Sequence, residues 1–304
     1  MAKLKSVIVR VPATTANLGP GYDCLGLTLD IWNEIEFSFS GDSLTIEIEG
    51  EGSDLLTKDS TNLIYQSMQS LSKSASRSLP AGLHIKCNNH IPVSSGLGSS
   101  AAAVIAGLIG AKALLDIQIN DFKLLELAMS YEGHADNISA CLFGGLVITV
   151  SSNEELVIKK ISLKPIHAVI ALSDVKISTH QARAVIPGSI LLKDAVFNVG
   201  RTALLVSSLQ EGNYEYLRIA MQDSIHQPFR LGLIPGAEAA ISGALEAGAF
   251  GAALSGAGPS VIAFVQKNDQ KVAEAITKIF NNANCSARIF STTTTIQGAY
   301  VKMQ

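Results

Sequence analysis

Glycines, hydroxyls and carboxylates gather in this chain at spacings that suit phosphate and metal chemistry. The stretch Ile91 to Ala103 reads Ile-Pro-Val-Ser-Ser-Gly-Leu-Gly-Ser-Ser-Ala-Ala-Ala. It places two glycines and a cluster of hydroxyls ahead of an alanine-rich apolar segment, Ala101 to Leu115, whose composition favours helix. The first turn of a helix offers unpaired N–H groups and the positive end of the macrodipole. Gly96 and Gly98 let a phosphate reach the main chain with no Cβ in the way. The alternative is an ordinary N-cap at Ser99 or Ser100, with the glycines serving only a turn. Two better-known phosphate loops are excluded. No Lys follows either glycine, so there is no P-loop. Gly96, Gly98 and Ala101 match the relaxed dinucleotide pattern, with Asp116 as a ribose acid. The strand candidate Leu83 to Cys87, however, ends well before Gly96.

A second cluster, Glu132-Gly-His-Ala-Asp-Asn137, holds two carboxylates, an imidazole and a carboxamide. Glu132 suits Mg²⁺, which takes one or two carboxylates together with phosphate oxygens and water. Asp136 suits accepting a hydroxyl proton or orienting the hydroxyl. His134 is either a ligand contact or a satisfied core histidine. The turn-rich segment from Ala13 to Asp23 can point Asn17 and Asp23 into a cavity, or supply an Asx-turn and a surface acid. Arg183 and Arg230 carry guanidinium forks that grip a carboxylate or phosphate bidentately, although a lone Arg on a loop is commonly a solvated charge. Asn62, at a helix start, either faces a base or caps the helix.

These residues need a scaffold of strands and helices. Ser6 to Val11 reads as a strand ending at Pro12. Asn33 to Ser40 and Ser43 to Glu49 alternate around Gly41-Asp42 as a hairpin. Helices are expected at Asn62 to Ser72, after the glycine-rich loop, and at Phe122 to Tyr131. A short helix and a strand follow within Ile138 to Val150. From about Ile161 the pattern changes to strand, long helical region (Ile190 to Gln210, Tyr214 to Met221) and strand, which marks a second domain. A glycine-rich turn precedes a strand at Val261 to Val265. Lys271 to Asn281 reads as a helix and Ile296 to Val301 as the last strand.

The whole chain sets the bounds. Its 304 residues allow two domains, 1–160 and 161–304. A hydrophobic fraction of 47% with 16% charge describes a compact globular protein. A net charge of -3 without long basic runs gives no electrostatic reason to expect nucleic acid or an anionic membrane as partner. The apolar run Val7 to Val9 is too short for a signal peptide, so a cytoplasmic location is expected. The uncharged run Ala247 to Gln266 is broken by glycines and Pro259, which reads as turns between buried strands rather than a membrane span. Cys24, Cys87, Cys141 and Cys285 form no C-x-x-C pair and read as buried small hydrophobes.

Three stretches, Pro12 to Asp23, Pro92 to Ala102 and Leu254-Ser-Gly-Ala-Gly-Pro-Ser-Val261, resemble in order and spacing the three motifs of the GHMP small-molecule kinases. The wording of the first, with Glu132 to Asn137, Ser178-Thr179 to Arg183 and His226-Gln-Pro-Phe-Arg230, is similar to the homoserine-phosphorylating branch. The resemblance implies an α+β, two-domain GHMP kinase fold, with a ribosomal S5 domain 2-like N-terminal domain and a ferredoxin-like C-terminal domain. It implies ATP-dependent phosphorylation of the side-chain hydroxyl of L-homoserine to O-phospho-L-homoserine, toward threonine, and a homodimer.

Carried over residue by residue, Pro92, Val93, Ser94, Ser95, Gly96, Leu97, Gly98, Ser99, Ser100, Ala101 and Ala102 would wrap ATP, with Asn62 at the adenine. Ser100 and Glu132 would hold Mg²⁺. Arg183 and Arg230 would take the substrate carboxylate and Asp23 its ammonium. Asn17, His134 and Asn137 would hold the hydroxyl end, and Thr179 belongs to the same substrate site. Asp136 stands where some relatives have an aspartate proposed as base, so it joins Glu132 and Asn137 as a catalytic candidate. Ala135 and Ser224 depart from the common pattern of a Pro and an Arg at those positions. The rival readings are a kinase of a mevalonate-like or sugar-like alcohol and an inactive nucleotide-binding module. A neutral sugar gives two guanidiniums nothing to pair with, and a lost activity predicts a missing metal ligand.

Overall fold

A computed structural model of the chain describes residues 6–152, 155–267 and 270–302. The basic residues at the N-terminus, Lys3 and Lys5, lie outside the described residues. The N-terminal half runs β1 (Ser6–Asn17), β2 (Gly21–Phe39), β3 (Thr45–Gly50), α1 (Leu63–Ser74), β4 (Leu83–Asn89), α2 (Ser99–Leu114), α3 (Asp121–Glu132), α4 (Asp136–Phe143), β5 (Leu146–Ser152) and β6 (Glu155–Ile161). The rest is β7 (His167–Ser173), α5 (Thr179–Ala184), α6 (Leu192–Glu211), a 3₁₀ turn at Tyr214–Tyr216, α7 (Leu217–Ala220), α8 (Gln227–Leu231), α9 (Ala237–Glu246), β8 (Gly251–Leu254), β9 (Ser260–Val265), α10 (Gln270–Asn282), β10 (Ala287–Thr293) and β11 (Tyr300–Lys302).

The first sheet follows the order β11-β1-β2-β4-β3, with β5 and β6 carried on from β2. Helix α2 lies at its centre: Ala101, Ala102, Val104, Ile105, Ala106 and Leu108 are all buried. Gly107 and Gly110 leave room there for Ile64 and Phe37, because a Cβ at either would overlap those residues. The second sheet, β10-β7-β9-β8, is antiparallel throughout. With its helices it gives the β-α-β-β-α-β order of a ferredoxin-like unit. One face of this sheet packs Val169, Ala171, Val261 and Ala263 against α9 and α10 through Ala240, Ala244, Ile276 and Phe280.

The structure corrects three sequence expectations. β1 does not stop at Pro12: it continues to Asn17 across a register shift between Pro12 and Ala13, and a bulge is where a strand tolerates proline. The hairpin across Gly41-Asp42 does not form, because β4 inserts between its two arms, antiparallel to β2 and parallel to β3. Alternation identifies a half-buried strand but not its partner, and here Ser40 N–H bonds to Gly82 O at the mouth of β4. The last strand is only Tyr300–Lys302, and it pairs with β1 in the first sheet rather than the second. The second sheet takes its outer strand from Ala287–Thr293, which alternates too weakly in sequence to stand out. The run Ala247 to Gln266 forms β8, a turn and β9. No described helix is long and apolar enough to cross a membrane.

Candidate active site

A cavity of about 550 Å³ opens where the three motifs meet. Its walls include Asn17, Asp23, Asn62, Val93 to Gly96, Gly98 to Ser100, Glu132, His134, Asp136, Asn137, Thr179, Arg183 and Arg230. Four residues expected at the nucleotide do not reach this wall. Pro92, Leu97, Ala101 and Ala102 are buried beneath the loop, where they anchor it to the core.

The loop is shaped by conformation and by close contacts. Ser94, Gly96 and Gly98 all have positive φ (54°, 77° and 69°). A Cβ on Gly96 would collide with the Ser255 carbonyl oxygen, and one on Gly98 with Thr14 Oγ1. Ser95 Oγ donates to Pro92 O at 2.7 Å and accepts from Leu97 N at 3.2 Å, so this serine closes the turn rather than facing a ligand. Neither Ser99 nor Ser100 caps α2. The N-cap is Gly98, left-handed and without a side-chain cap. The N–H groups of Ser99, Ser100 and Ala101 therefore find no acceptor among the described residues. This is the anion-binding geometry of a bare helix N-terminus.

The motifs are laced together. Thr14 N–H bonds to Leu97 O (3.1 Å), and Ser255 Oγ lies 2.7 Å from Gly96 O and 2.9 Å from Thr15 Oγ1. Asn17 uses both ends of its carboxamide: Nδ2 donates to Gly256 O, and Oδ1 accepts from Asp23 N, each at 3.0 Å. Asn17 and Asp23 hold left-handed backbone conformations (φ 68° and 53°), strain of about 1–3 kcal/mol each that surrounding contacts must offset. Asn62 is also committed. Its Oδ1 caps α1 through Ile64 N and its Nδ2 donates to Thr57 O, so both polar atoms are spent within the fold.

Glu132 ends α3, partly buried at the cavity wall, and its carboxylate has no ion pair or hydrogen bond among the described residues. Asp136 is buried, and its Oδ1 is filled by His134 Nδ1 (2.8 Å) and the Asn137 backbone N–H (2.6 Å). That contact with Asp136 raises the His134 pKa above its ordinary value, against the opposing effect of burial. Thr14 Oγ1 donates to Asn137 Oδ1 at 2.8 Å, leaving the Asn137 amide end nearer Asp136.

At the other end, Arg183 grips Asp23 bidentately, at 2.7 and 2.9 Å, and donates to Tyr22 Oη at 2.9 Å. The carboxylate of Asp23 raises the Arg183 pKa further. Arg230 is almost fully buried and bonded to Ala182 O, Gly256 O and His226 Nδ1. Thr179 is the first residue of α5, behind a capping box made by Ser178 and Gln181. Sequence reasoning gave no role to Thr14, Tyr22, His226 or Ser255. All four lie inside the quoted motifs, but hydroxyls and rings beside a glycine carry no sign of whether they touch ligand or support those that do.

Comparison with known proteins decides the family. Residues 62–145 match the GHMP kinases N terminal domain and residues 205–282 the GHMP kinases C terminal domain. Over 293 residues the chain is 37% identical to a homoserine kinase of Carboxydothermus hydrogenoformans, covering 96% of each protein. The chain belongs to the homoserine kinase family of GHMP kinases. A second homoserine kinase, from Caldanaerobacter subterraneus subsp. tengcongensis, is 41% identical over 297 residues, with 97% of this chain and 95% of that protein covered. The crystal structure of homoserine kinase from Cytophaga hutchinsonii superposes with a TM-score of 0.86 at 32% identity, over 99% of both chains. The homoserine kinase fold is thus shared end to end, with two domains and the cavity at their junction.

Proposed function

We propose that this chain transfers the γ-phosphoryl group of ATP to the side-chain hydroxyl of L-homoserine, giving ADP and O-phospho-L-homoserine, a step toward threonine. The observation that carries the reading is a single cavity with a bare helix N-terminus at one end and two guanidiniums with a carboxylate at the other. The first suits a triphosphate, and the second suits an amino acid, whose carboxylate needs a fork and whose ammonium needs an acid. Residues 1–160 supply the phosphate loop, while 161–304 supply both arginines and the glycine-rich turn.

Within this reading, the backbone of Ser94 to Ser100 holds the phosphates. Ile35, Ile48, Leu56 and Ile64 give the base an apolar wall that Asn62 braces from behind. Mg²⁺ fits the residues present, because the unpaired Glu132 carboxylate and the Ser100 hydroxyl line one cavity with room for phosphate oxygens. Bound there, the metal neutralises charge on the transferring phosphoryl group. Arg183 and Arg230 take the substrate carboxylate, Asp23 the ammonium, and His134, Asn137 and Thr179 the remainder, while Asn17 supports this end by fixing the Asp23 backbone against Gly256. Asp136 orients His134 and Asn137. Transfer through a loose transition state draws its rate from in-line placement and charge neutralisation, so the hydroxyl proton passes to a phosphoryl oxygen without a strong base. A cytoplasmic homodimer belongs to the same reading.

The test is ADP release with Mg-ATP and a panel of L-homoserine, L-threonine, mevalonate, galactose and shikimate. Release with homoserine alone supports the assignment. Release with another alcohol and none with homoserine keeps the kinase fold and discards the roles of Asp23, Arg183 and Arg230.

A further inference from the structure

His226 is fully buried at the N-cap of α8, four residues before Arg230, and the proposed reaction so far gives it no task. Its ring stacks on Tyr22, with centroids 5.0 Å apart and planes at 25°. Each ring nitrogen faces a partner that admits only one role. Gly19 O, 2.7 Å from Nε2, can only accept, so Nε2 carries the hydrogen. Arg230 Nη1, 3.1 Å from Nδ1, can only donate, so Nδ1 presents its lone pair. The neighbours thereby assign the neutral Nε2–H tautomer.

Arg230 shows what this tautomer holds in place. Its Nε–H goes to Ala182 O (3.0 Å), and the two hydrogens of Nη1 go to Gly256 O (3.1 Å) and His226 Nδ1. Only Nη2, with two N–H groups, has no hydrogen bond among the described residues, and Arg230 lines the cavity. We propose that His226 is a positioning residue for substrate capture: as a neutral acceptor tied back to Gly19, it fixes the Arg230 guanidinium so that Nη2 faces the substrate carboxylate. The proposal rests on the reading of Arg230 given under the proposed function.

Acid undoes this arrangement. A proton on Nδ1 removes the acceptor and sets an imidazolium against a guanidinium. The charged and titratable groups around the ring are Arg230 from α8, Asp223 from the turn before it, and Tyr22 and Asp23 from β2, with Arg183 of α5 across the Tyr22 ring. Asp223 Oδ2 is 3.5 Å from Nε2. Its carboxylate already accepts from the N–H groups of Ile225, His226 and Gln227 and from Asn198 Nδ2, so it serves the start of α8. Burial pushes the His226 pKa below its ordinary value and outweighs the opposite pull of Asp223.

The experiment is steady-state kinetics of the full chain with Mg-ATP and L-homoserine from pH 5 to 9, for the wild type, His226→Phe and His226→Asn. His226→Phe keeps the stack on Tyr22 and deletes the acceptor. It is expected to raise KM for homoserine about ten- to a hundredfold, the cost of an unsatisfied buried donor, with kcat and KM for ATP within about threefold. His226→Asn restores an acceptor and a donor without a titrating ring. It recovers most of that loss and flattens the rise in homoserine KM that the wild type shows at acid pH. Equal shifts of both KM values and kcat in His226→Phe, or an acid limb unchanged in His226→Asn, overturn the proposal. The second criterion stands even if His226→Phe fails to fold. No turnover of homoserine by the wild type overturns the reading of Arg230 and this inference with it, whereas turnover with variants that behave as wild type overturns this inference alone.

Discussion

The two ends of the cavity are prepared differently. At the α2 end the groups suited to phosphate and metal are unpaired: the first N–H groups of the helix have no acceptor among the described residues, and Glu132 has no partner among them. At the α5 and α8 end the charged side chains are engaged with one another or with the fold, Asp23 with Arg183, and Arg230 through Nε and Nη1 with two carbonyls and His226. A phosphate at the first end replaces water on donors already aimed. An amino acid at the second end must exchange with an internal ion pair, taking Arg183 with its carboxylate and Asp23 with its ammonium. That exchange is cheap, because both side chains are about one-third exposed (36% and 35%), and a pair so exposed contributes only about 0–1 kcal/mol. It is also selective, since a ligand with one charge strands the other partner.

The largest expected effect lies at the unpaired end. Glu132→Ala should lower kcat on the order of a thousandfold under saturating Mg-ATP, because it deletes the free carboxylate beside the phosphate loop. Asp136→Asn should cost less than about tenfold, because an amide oxygen still accepts from the Asn137 N–H. A general base would instead be worth on the order of 10²–10⁴. Equal losses in the two variants, read by ADP release, would make Asp136 a true base and break the contrast. At the paired end, Arg183→Lys keeps the charge but loses the fork. It should raise KM for homoserine about ten- to a hundredfold and leave KM for ATP unchanged; matching changes in both would mean that the two ends are not separate subsites.

Glu132, Arg183 and Arg230 were legible in sequence by residue type, but the part of the site whose shape was legible is the part made of backbone. Gly96, Gly98 and the alanine run announced a loop feeding a helix, because glycine freedom and helix propensity are local properties. The corrections came where a partner is remote. Nothing in Ser43 to Glu49 says that β4 will lie between it and β2, and nothing in Tyr300 says that it returns to β1. Asn17, Asn62 and Ser95 were visible as polar residues at turns, yet their hydrogen bonds go to Gly256, Thr57 and Pro92 rather than into the cavity. His226 was visible only as a letter beside Arg230. Its tautomer depends on Gly19, which folding brings across 207 residues.

Stability against pH gives a smaller test of the paired end. Burial lowers the folded pKa of His226, so the unfolded chain binds a proton first as the solution is acidified. The contribution is fully present above the unfolded value of about 6.5 and is lost as pH falls toward the folded pKa, at up to about 1.4 kcal/mol per pH unit. Chemical denaturation at pH 7.5 and 5.5 should therefore show wild type losing more stability than His226→Asn. An equal loss would mean that the ring takes up its proton as readily folded as unfolded.

The smallest expected effect separates support from contact within the phosphate loop itself. Ser95 is buried and spends its hydroxyl on Pro92 and Leu97, while Ser100 is exposed at the start of α2 with no partner among the described residues. Ser95→Ala removes an acceptor from Leu97 N–H and should cost about 1 kcal/mol of stability. The looser turn should raise KM for ATP only a few-fold, because the N–H groups of Ser99 to Ala101 are held by α2 rather than by Ser95. Ser100→Ala should do the reverse, leaving the denaturation midpoint in place and lowering kcat, since Ser100 lines the cavity and its hydroxyl has no hydrogen bond among the described residues. Midpoints and kcat measured on the two variants side by side decide the matter: if Ser100→Ala destabilises the chain as Ser95→Ala does, its hydroxyl belongs to the turn, and the α2 end is less open to a ligand than its unpaired groups indicate.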